Sequence, residues 1–227
     1  MPLAPEAPLS PHPRGLFITF EGGDGGGKST QIALLEKWLR SGESPLGDAA
    51  VTATKEPGGT ELGRSIRELI LHSAHVDDRA EALLYAADRA HHVATTVRPA
   101  LERGEVVLAD RYLDSSVAYQ GVGRRLDPAD IHALSAWATN GLRPHVTFLL
   151  DIDPSALETR RDAALHDRLE RAGHAFHEAV REAFLDLARA EPDRFIIIDA
   201  AQDIARVHED IRSALTAWLR THPGAAA

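Results

Sequence analysis

Five short apolar runs are spaced along the chain, and a longer segment with helical periodicity follows each of them. The runs cover residues 16–21, 51–54, 106–109, 146–150 and 195–198. Short runs rich in β-branched and aromatic residues are typical of strands buried on both faces of a sheet. Because such strands alternate here with helical segments, the pattern indicates repeated βαβ units. It predicts an α/β fold with a five-stranded parallel sheet and helices on both faces.

The segments between these runs supply the predicted helices. They cover residues 31–40, 61–71, 77–102, 128–139, 154–161, 170–189 and 204–220. In open parallel sheets, ligands bind beyond the carboxyl ends of the strands. The residues that directly follow each apolar run are therefore the first candidates for chemistry.

The chain length of 227 residues suits one domain with a sizeable core. Residues 1–14 are rich in proline and lack the basic start and apolar run of a secretory signal, so we expect a flexible tail. Residues 221–227 are expected to fray in the same way. The predicted organisation is a single domain over residues 15–220 between two flexible tails.

Charge and composition exclude several classes of protein. A formal net charge of -9 argues against a general nucleic-acid binder, because long phosphate tracts require a broad basic face. The chain has no cysteine, which excludes disulfides and thiolate metal sites and fits a cytoplasmic protein. No apolar stretch reaches the roughly 18 residues of a membrane span. None of the histidines has the spacing of a metal site.

The segment after the first predicted strand, Gly-Gly-Asp-Gly-Gly-Gly-Lys-Ser at residues 22–29, matches the P-loop pattern G-x-x-x-x-G-K-[ST]. Its glycines let successive backbone N–H groups surround a polyphosphate at a helix N-terminus. Lys28 is expected to reach the β- and γ-phosphates of ATP, and the Ser29 hydroxyl to bind Mg²⁺. The strand before the motif and the helix after it favour this interpretation over a chance Gly-rich turn. The predicted ATP-binding residues of this segment are Gly22, Gly23, Asp24, Gly25, Gly26, Gly27, Lys28, Ser29 and Thr30.

Two further strand ends carry polar residues. After the second run, Lys55 precedes Glu-Pro-Gly-Gly, a turn in which Pro57 fixes φ and the glycines let the backbone approach a ligand. A plain strand-to-helix turn is the alternative. After the third run, Asp110 and Arg111 place an acid and a guanidinium at the sheet edge, where burial without partners is costly. We expect an anionic substrate at Arg111 and a metal-bound water at Asp110, and the alternative is an ion pair between the two.

Two helical segments add candidate ligand contacts. Tyr85 and Arg89 are four residues apart and so share a helix face, where they could stack on a base and bind a phosphate. Packing against a neighbouring helix is the alternative. Residues 157–171 contain four arginines among acids, a pattern usual for a solvated surface. Since the P-loop has no arginine at its variable positions, we instead predict a small mobile lid that closes over the transferring phosphoryl group.

Taken together, these motifs resemble those of the thymidylate kinase family. The most specific of them is residues 110–124, Asp-Arg-Tyr-Leu-Asp-Ser-Ser-Val-Ala-Tyr-Gln-Gly-Val-Gly-Arg, a string that few other P-loop proteins carry. The motifs at residues 56–60, 87–89 and 167–170 follow the family order, and the resemblance runs from about residue 16 to 219. It implies the P-loop NTPase fold of nucleoside monophosphate kinases and phosphorylation of dTMP to dTDP with ATP and Mg²⁺.

The resemblance also implies roles for individual residues. Asp24 would lie near the sugar and the acceptor phosphate, Arg89 and Arg111 would bind that phosphate, and Tyr85 would stack on thymine where the family usually has Phe. Ser116 and Gln120 would face the base and sugar, with Tyr119 beside them. The implied substrate-binding residues are Asp24, Lys55, Pro57, Tyr85, Arg89, Arg111, Ser116, Tyr119 and Gln120.

Within the family, the chain is similar to the bacterial type whose catalytic arginine lies in the lid. This likeness implies Arg161 as the lid cation, with Arg160 as the second candidate, and both as ATP-binding residues. The implied catalytic residues are Asp24, Lys28, Arg111 and Arg161, and the implied metal ligands are Ser29 and Asp110. A homodimer is also implied by the resemblance alone.

Three positions depart from the family pattern. Lys55 stands where Arg is usual, which replaces a bidentate fork with a point charge. Phe184 stands where Tyr is common, so a hydroxyl contact to the substrate is in doubt. Tyr85 in place of Phe keeps the aromatic stack and adds a polar tip.

Two other functions compete with this interpretation. A deoxynucleoside kinase also has a P-loop and an acid-Arg pair after a strand, but it must deprotonate a neutral hydroxyl with a carboxylate base. It also has less use for two arginines at an acceptor phosphate. A nucleotide-controlled switch would lack acceptor chemistry, and its GTPase form requires an Asn-Lys-x-Asp element that this sequence does not contain.

Overall fold

The computed structural model describes residues 14–73, 75–158 and 173–224. Five strands form one parallel sheet in the order β2-β3-β1-β4-β5. They are β1 (Phe17–Glu21), β2 (Val51–Lys55), β3 (Val106–Asp110), β4 (Val146–Asp151) and β5 (Phe195–Asp199). The five-stranded parallel sheet predicted from the apolar runs is confirmed, with strand ends that differ by at most one residue from the runs.

The register of the sheet brings the ends of β1, β2 and β3 together. Both Lys55 of β2 and Phe20 of β1 lie opposite Asp110, the last residue of β3. The P-loop, the turn after β2 and the Asp110-Arg111 segment therefore leave the sheet at one edge. This convergence is the geometry that the sequence pattern predicted for a ligand site.

Helices connect the strands. They are α1 (Lys28–Leu39), α2 (Glu61–His72), α3 (Asp78–His92), α4 (Arg98–Glu102), α5 (Leu113–Ser116), α6 (Pro128–Ala138), α7 (Pro154–Glu158), α8 (His174–Ala190) and α9 (Ile204–Thr221). A π-helical segment, Val93–Val97, joins α3 to α4, so the single helix predicted over residues 77–102 is in fact three helical pieces. A second π-helical segment, Val117–Gly123, continues α5, and neither of these two elements was predicted.

The helices cover both faces of the sheet, as predicted. On one face, Leu35 of α1 and Ile211 of α9 pack in a cluster with Phe20 and Phe148 of the central strands. On the other face, Leu101 of α4 packs with Val107, and Phe184 of α8 packs with Leu149. Burial of these apolar side chains from two sides is the main favourable contribution to folding.

A buried polar layer lies within the second face. Arg194, just before β5, donates to both carboxylate oxygens of Asp114 at 2.7 and 2.8 Å and to Thr147 Oγ1 at 2.8 Å. The Thr147 hydroxyl is also hydrogen-bonded to the Thr19 hydroxyl of β1 at 2.8 Å. These bonds tie α5 to the strands, so the segment that follows Arg111 has a fixed position relative to the sheet.

Several predicted segments lie outside the described residues. Only Arg14 of the predicted N-terminal tail is described, and only residues 157 and 158, the last of α7, belong to the predicted lid. The predicted C-terminal tail starts at Thr221, which ends α9, and its residues 225–227 are also outside. Among the described helices, none is both long enough and apolar enough to cross a membrane.

The buried Asp114–Arg194 pair gives a test of the polar layer. Substitution Asp114→Ala leaves the buried Arg194 guanidinium with Glu191 as its acidic partner, and we expect the free energy of unfolding to fall by about 3 kcal/mol. Urea denaturation measures the loss. The control is Asp186→Ala, which breaks an exposed pair with Arg189 and should cost less than about 1 kcal/mol. Equal losses in the two variants would contradict the prediction.

Candidate active site

A cavity of about 420 Å³ opens at the sheet edge where β1, β2 and β3 end. Its volume falls within the range of small-molecule sites. Most residues predicted for ATP, metal and substrate lie around it. These residues are Asp24, Gly25, Gly27, Lys28, Ser29, Thr30, Lys55, Pro57, Tyr85, Arg89, Asp110, Arg111, Ser116, Tyr119 and Gln120.

The P-loop forms one wall of this cavity. Gly27 has a φ of 86°, which glycine adopts without strain, and α1 starts at the next residue without a side-chain cap. The Lys28 ammonium lies over the loop and donates to the carbonyl oxygens of Gly22 at 3.1 Å and Gly23 at 2.8 Å. Burial and the nearby Arg111 charge lower the pKa of Lys28 to about 8. The loop is thus shaped around a buried cation, as a polyphosphate site requires.

Glycine at position 22 lets the start of the P-loop pack closely against β4. Its φ is 126°, and a Cβ at this position would lie 2.4 Å from the carbonyl oxygen of Leu150. Gly22 and Gly23 also line a neighbouring cavity of about 40 Å³, and a Cβ on Gly26 would lie 3.2 Å from the Gly23 carbonyl oxygen. These three glycines therefore shape the loop backbone, whereas Asp24, Gly25 and residues 27–30 line the larger cavity.

Ser29 and Asp110 bring hard oxygen donors together at the mouth of the cavity. The Ser29 hydroxyl at the start of α1 donates to Asp110 Oδ2 at 2.7 Å, across the sheet edge. A hydroxyl and a carboxylate beside a phosphate-binding loop are the oxygen ligands that Mg²⁺ prefers, with water and phosphate completing its coordination. The two residues fit the predicted metal site.

Arg111 faces the P-loop across the cavity. Its Nη2 donates to Asp24 Oδ1 at 2.6 Å and to the Tyr119 hydroxyl at 3.2 Å, and its Nη1 donates to Ser115 Oγ at 2.9 Å. Burial opposes ionisation of Asp24, but the charges of Arg111 and Lys28 outweigh it and hold the pKa of Asp24 well below its ordinary value. The acid paired with Arg111 is therefore Asp24, and Asp110 bonds to Ser29 instead.

Glu21, the last residue of β1, is a buried acid that the sequence reasoning did not select. Its Oε1 accepts from the backbone N–H of Tyr112 at 2.8 Å and of Ser115 at 3.3 Å, and its Oε2 accepts from the Ser115 hydroxyl at 2.5 Å. Burial, and then the nearby charge of Asp114, raise the pKa of Glu21 to about 7. The available signal was an acid that ends an apolar strand directly before the P-loop.

Arg89 lies deep in the cavity wall and is only 2% exposed. Its Nε donates to Glu56 Oε2 at 2.8 Å, its Nη1 to the hydroxyls of Ser116 at 3.0 Å and Ser135 at 3.1 Å, and its Nη2 to the Tyr112 carbonyl at 3.0 Å. These bonds use four of the five N–H donors of a guanidinium. Arg89 thus reaches the cavity as a strongly held cation, and its contact with an acceptor phosphate stays a prediction.

Buried polar residues fix the turn after β2. Glu56 Oε1 is 2.8 Å from Nδ1 of His92, and the other His92 ring nitrogen is 2.6 Å from the Thr54 hydroxyl. The backbone N–H of Gly58 donates to Asp88 Oδ1 at 3.1 Å. Burial and the nearby Glu56 charge raise the pKa of Asp88 to about 6. The turn therefore has side-chain contacts to α3, which favours a shaped loop over a plain connection.

Arg67 of α2 is a cation at the cavity that the sequence reasoning missed. It lines the cavity and donates from Nη1 to the carbonyl oxygen of Pro57 at 3.2 Å. The sequence offered a signal, since Arg67 lies within the first two turns of the helix that follows the Gly-Gly turn. Lys55 also lines the cavity, at its exposed rim.

Gln120 and Phe184 have contacts that hold the far side of the cavity. Gln120 Nε2 donates to the buried carboxylate of Glu81 at 2.8 Å. The Phe184 ring packs edge-on against Tyr119, with ring centroids 6.2 Å apart, and lines the smaller cavity with Gly22. Phe184 thus supports the Tyr119 ring. The lid residues Arg160 and Arg161, and Arg168 and Arg171 with them, lie outside the described residues, so their roles stay predictions.

Comparison with known proteins identifies the family of the chain. A family model described as Thymidylate kinase matches residues 20–211. A thymidylate kinase of Clavibacter sepedonicus is 58% identical over 202 residues, which are 88% of this chain and 93% of that protein. One of Deinococcus radiodurans is 48% identical over 205 residues, which are 89% of this chain and 97% of that protein.

A solved structure gives the same result for the fold. The thymidylate kinase of Ehrlichia chaffeensis matches the structure with a TM-score of 0.74 at 31% sequence identity, and the match covers 88% of this chain and 98% of that one. The likeness in structure therefore spans nearly the whole of the solved protein. The chain belongs to the thymidylate kinase family and is a kinase.

Proposed function

We propose that this chain transfers the γ-phosphoryl group of ATP to dTMP, which gives dTDP and ADP. The observation that carries the proposal is that Lys28 of the P-loop and Arg111 of the facing segment line one cavity. A donor phosphate chain at Lys28 and an acceptor phosphate at Arg111 would meet between them. Membership of the thymidylate kinase family supports ATP and dTMP as the two nucleotides, and the cavity has room for a phosphate group of each.

The donor side consists of the P-loop and the start of α1. Backbone N–H groups of residues 24–29 and the Lys28 ammonium bind the β- and γ-phosphates. In the described structure Lys28 is held by the carbonyl oxygens of Gly22 and Gly23, and the phosphates take over those contacts. Ser29 and Asp110 would hold Mg²⁺, which when bound neutralises charge on the phosphates.

The acceptor side consists of the segments after β2 and β3. Arg111 binds the dTMP phosphate, and Lys55 and Arg67 add positive charge at the rim of the same cavity. Arg89 supports this side through Ser116, the hydroxyl to which its Nη1 donates. Positive charge from four segments of the chain thus lies around the proposed acceptor phosphate.

The base and sugar of dTMP occupy the part of the cavity opposite the P-loop. Tyr85 stacks on the thymine ring, and Ser116 and Gln120 face its polar edge. Tyr119 and Asp24, which are joined by a hydrogen bond of 3.0 Å, lie beside the sugar and the acceptor phosphate. Pro57 shapes the wall of the cavity.

Positioning and neutralisation of charge do most of the catalytic work. The acceptor phosphate oxygen is already anionic, so phosphoryl transfer to it needs no strong general base. Lys28 and Arg111 reduce the repulsion between the two phosphates and hold the attacking oxygen in line with the γ-phosphorus. Lid residues Arg160 and Arg161 would then cover the transferring group and exclude water.

We also propose that the protein is a homodimer through an apolar face on α2 and α3. Leu62 and Leu69 of α2 are 48% and 53% exposed, and they are seven residues apart on one side of the helix. Leu83 of the adjacent α3 is 58% exposed. Apolar residues on neighbouring helices form a surface that a second copy covers by two-fold symmetry. A cytoplasmic location and the absence of a nucleic-acid partner stay predictions.

The acceptor identity is tested by a panel of nucleotides. With ATP and Mg²⁺, we expect ADP release in a coupled assay to depend on dTMP and to be much slower with other nucleoside monophosphates. Thymidine is the matched control, because it has the same base and sugar without the phosphate that Arg111 binds. Faster turnover with thymidine would support a deoxynucleoside kinase, and ATP hydrolysis that ignores dTMP would support a nucleotide switch.

The donor site is tested at Lys28. Substitution Lys28→Ala removes the ammonium from the P-loop, and we expect kcat to fall on the order of 10²-fold or more, since its contact strengthens as charge develops on the transferred group. Initial rates of dTDP formation measure this. Lys37→Ala removes an exposed lysine from the same helix and should leave kcat unchanged. A near-normal kcat in the Lys28→Ala enzyme would contradict the assignment of Lys28 to the donor phosphates.

The dimer is tested at the leucine face. Substitution Leu69→Glu places a charge in the proposed interface, and we expect the protein to change from dimer to monomer in size-exclusion chromatography with light scattering. Ile204→Glu is the control, because Ile204 is 60% exposed but lies at the start of α9. A monomeric wild-type protein at micromolar concentration would contradict the proposal.

A further inference from the structure

Arg111 has a backbone conformation that arginine rarely adopts. Its φ is 71°, in the left-handed region that is comfortable for glycine and strained for a side chain with a Cβ. Such residues keep this conformation only where the surrounding structure holds them in it. The candidate acceptor site therefore depends on whatever holds the backbone at Arg111.

Two hydrogen bonds fix the peptide groups on either side of this residue. The N–H of Arg111 donates to the carbonyl oxygen of Phe20 at 2.9 Å, which continues the pairing between β1 and β3. The next N–H, that of Tyr112, donates at 2.8 Å to a side chain, the carboxylate of Glu21. Because both flanking amides are held by the end of β1, the dihedral angles at Arg111 have little freedom.

The same carboxylate also reaches the guanidinium through Ser115. The Ser115 hydroxyl donates to Glu21 Oε2 at 2.5 Å and accepts from Arg111 Nη1 at 2.9 Å. The Ser115 N–H donates to Glu21 Oε1 at 3.3 Å, which anchors the start of α5. One buried side chain thus contacts the backbone after Arg111, the helix start, and the hydroxyl that holds the arginine side chain.

Charges of both signs lie near Glu21. Asp114 is the nearby acid, and both of its carboxylate oxygens accept hydrogen bonds from Arg194. Arg111, Lys28 and Arg89 are the cations whose fields reach Glu21. The Glu21 carboxylate accepts three hydrogen bonds. These bonds explain its burial better than pairing with any single cation does.

We infer that Glu21 is a positioning residue for phosphoryl transfer, and that its carboxylate holds the Arg111–Ser115 turn in the conformation that directs the Arg111 guanidinium into the acceptor side of the cavity. The inference rests on the proposed function for the identity of the acceptor. It assigns to Glu21 no contact with either nucleotide. The effect of Glu21 on the reaction passes entirely through Arg111.

Three substitutions separate the contributions of Glu21. Glu21→Ala removes the two oxygens that accept these three hydrogen bonds, and we expect the Kd for dTMP to rise by about tenfold or more, because misplacing a binding group by about 1 Å has effects of up to 10²-fold. Glu21→Asp withdraws the carboxylate by one methylene and should give a smaller rise. Glu21→Gln keeps an oxygen for the Tyr112 and Ser115 amides and should stay within about threefold of the wild type.

Isothermal titration calorimetry with dTMP and with ATP, steady-state KM and kcat, and the melting temperature are measured for each variant. The matched control is Thr52→Val, which loses a part-buried hydrogen bond to Glu105 near the amino ends of β2 and β3, away from the Arg111–Ser115 turn. We expect it to lower the melting temperature and leave the Kd for dTMP unchanged. A crystal structure of Glu21→Ala, or of Glu21→Asp if the alanine variant does not fold, reports φ at Arg111.

The expected result is a selective rise in the Kd and KM for dTMP in the Ala and Asp variants, recovery in the Gln variant, and an unchanged Kd for ATP. Three results would overturn the inference. One is a lower melting temperature with unchanged dTMP binding, which makes Glu21 structural only. Another is an equal loss of ATP and dTMP affinity, which makes it a support for the P-loop. The third is a Gln variant as impaired as the Ala variant.

Failure of this inference can be told apart from failure of the proposed function. If the wild-type protein neither binds nor phosphorylates dTMP, the proposed function fails. The value of φ at Arg111 in the Glu21→Ala structure still tests the positioning role in that case. A φ that stays near 71° without the carboxylate overturns the role whatever the acceptor is.

Discussion

The structure depends on burying positive charge at one edge of a parallel sheet. A guanidinium removed from water loses its hydration, and the loss is tolerable only when acids and carbonyl oxygens replace the water. Three of the described arginines that are buried or largely buried accordingly have an acid within hydrogen-bond distance. Arg111 meets Asp24 at 2.6 Å, Arg89 meets Glu56 at 2.8 Å, and Arg194 meets Asp114 at 2.7 Å.

This constraint explains why the acids come from different elements. Glu21 and Asp24 lie at the end of β1 and in the P-loop, Glu56 follows β2, and Asp114 lies in α5. Parallel strands bring these segments to one edge, so Arg111, Arg89 and Arg194 each meet an acid from a distant part of the chain. The strained φ at Arg111 belongs to the same arrangement, because it turns the guanidinium away from the adjacent Asp110 and toward the P-loop. Asp110 then bonds to Ser29.

Periodicity and spacing were enough for the parts of the molecule that follow local rules. The apolar runs predicted all five strands because strands buried on both faces need continuous apolar sequence. The P-loop was predictable because its glycines have a backbone function that depends on their spacing. Helix starts also followed local chemistry, and Asp127 before Pro128 and Asp203 before Ile204 accept from the N–H groups that follow them.

What could not be predicted depends on contacts between distant segments. From the sequence, Glu21 was predicted only as the end of a strand. Its hydrogen-bond partners, Tyr112 and Ser115, are more than ninety residues away, so no local pattern indicated them. Arg67 was not selected from the sequence, because its contact with the Pro57 carbonyl oxygen joins two separate segments. Whether Asp110 and Arg111 pair with each other or with other residues depends on the positive φ at Arg111. No residue pattern in the sequence indicated that φ. Pairing partners of buried charges are set by tertiary structure, so motif spacing alone does not reveal them.

The same contacts bear on how the site distinguishes a nucleotide from a nucleoside. In the structure, Arg111 is neutralised by Asp24. On the proposed function, an acceptor phosphate at Arg111 would gain only the difference between its own contact and the Asp24 contact already present. The Tyr119 hydroxyl also donates to Asp24, so that carboxylate would keep a hydrogen bond if Arg111 bound the phosphate. A neutral acceptor would offer nothing in exchange for the Asp24 contact, so the proposed site would favour a nucleotide over a nucleoside because only an anion can share this ion pair.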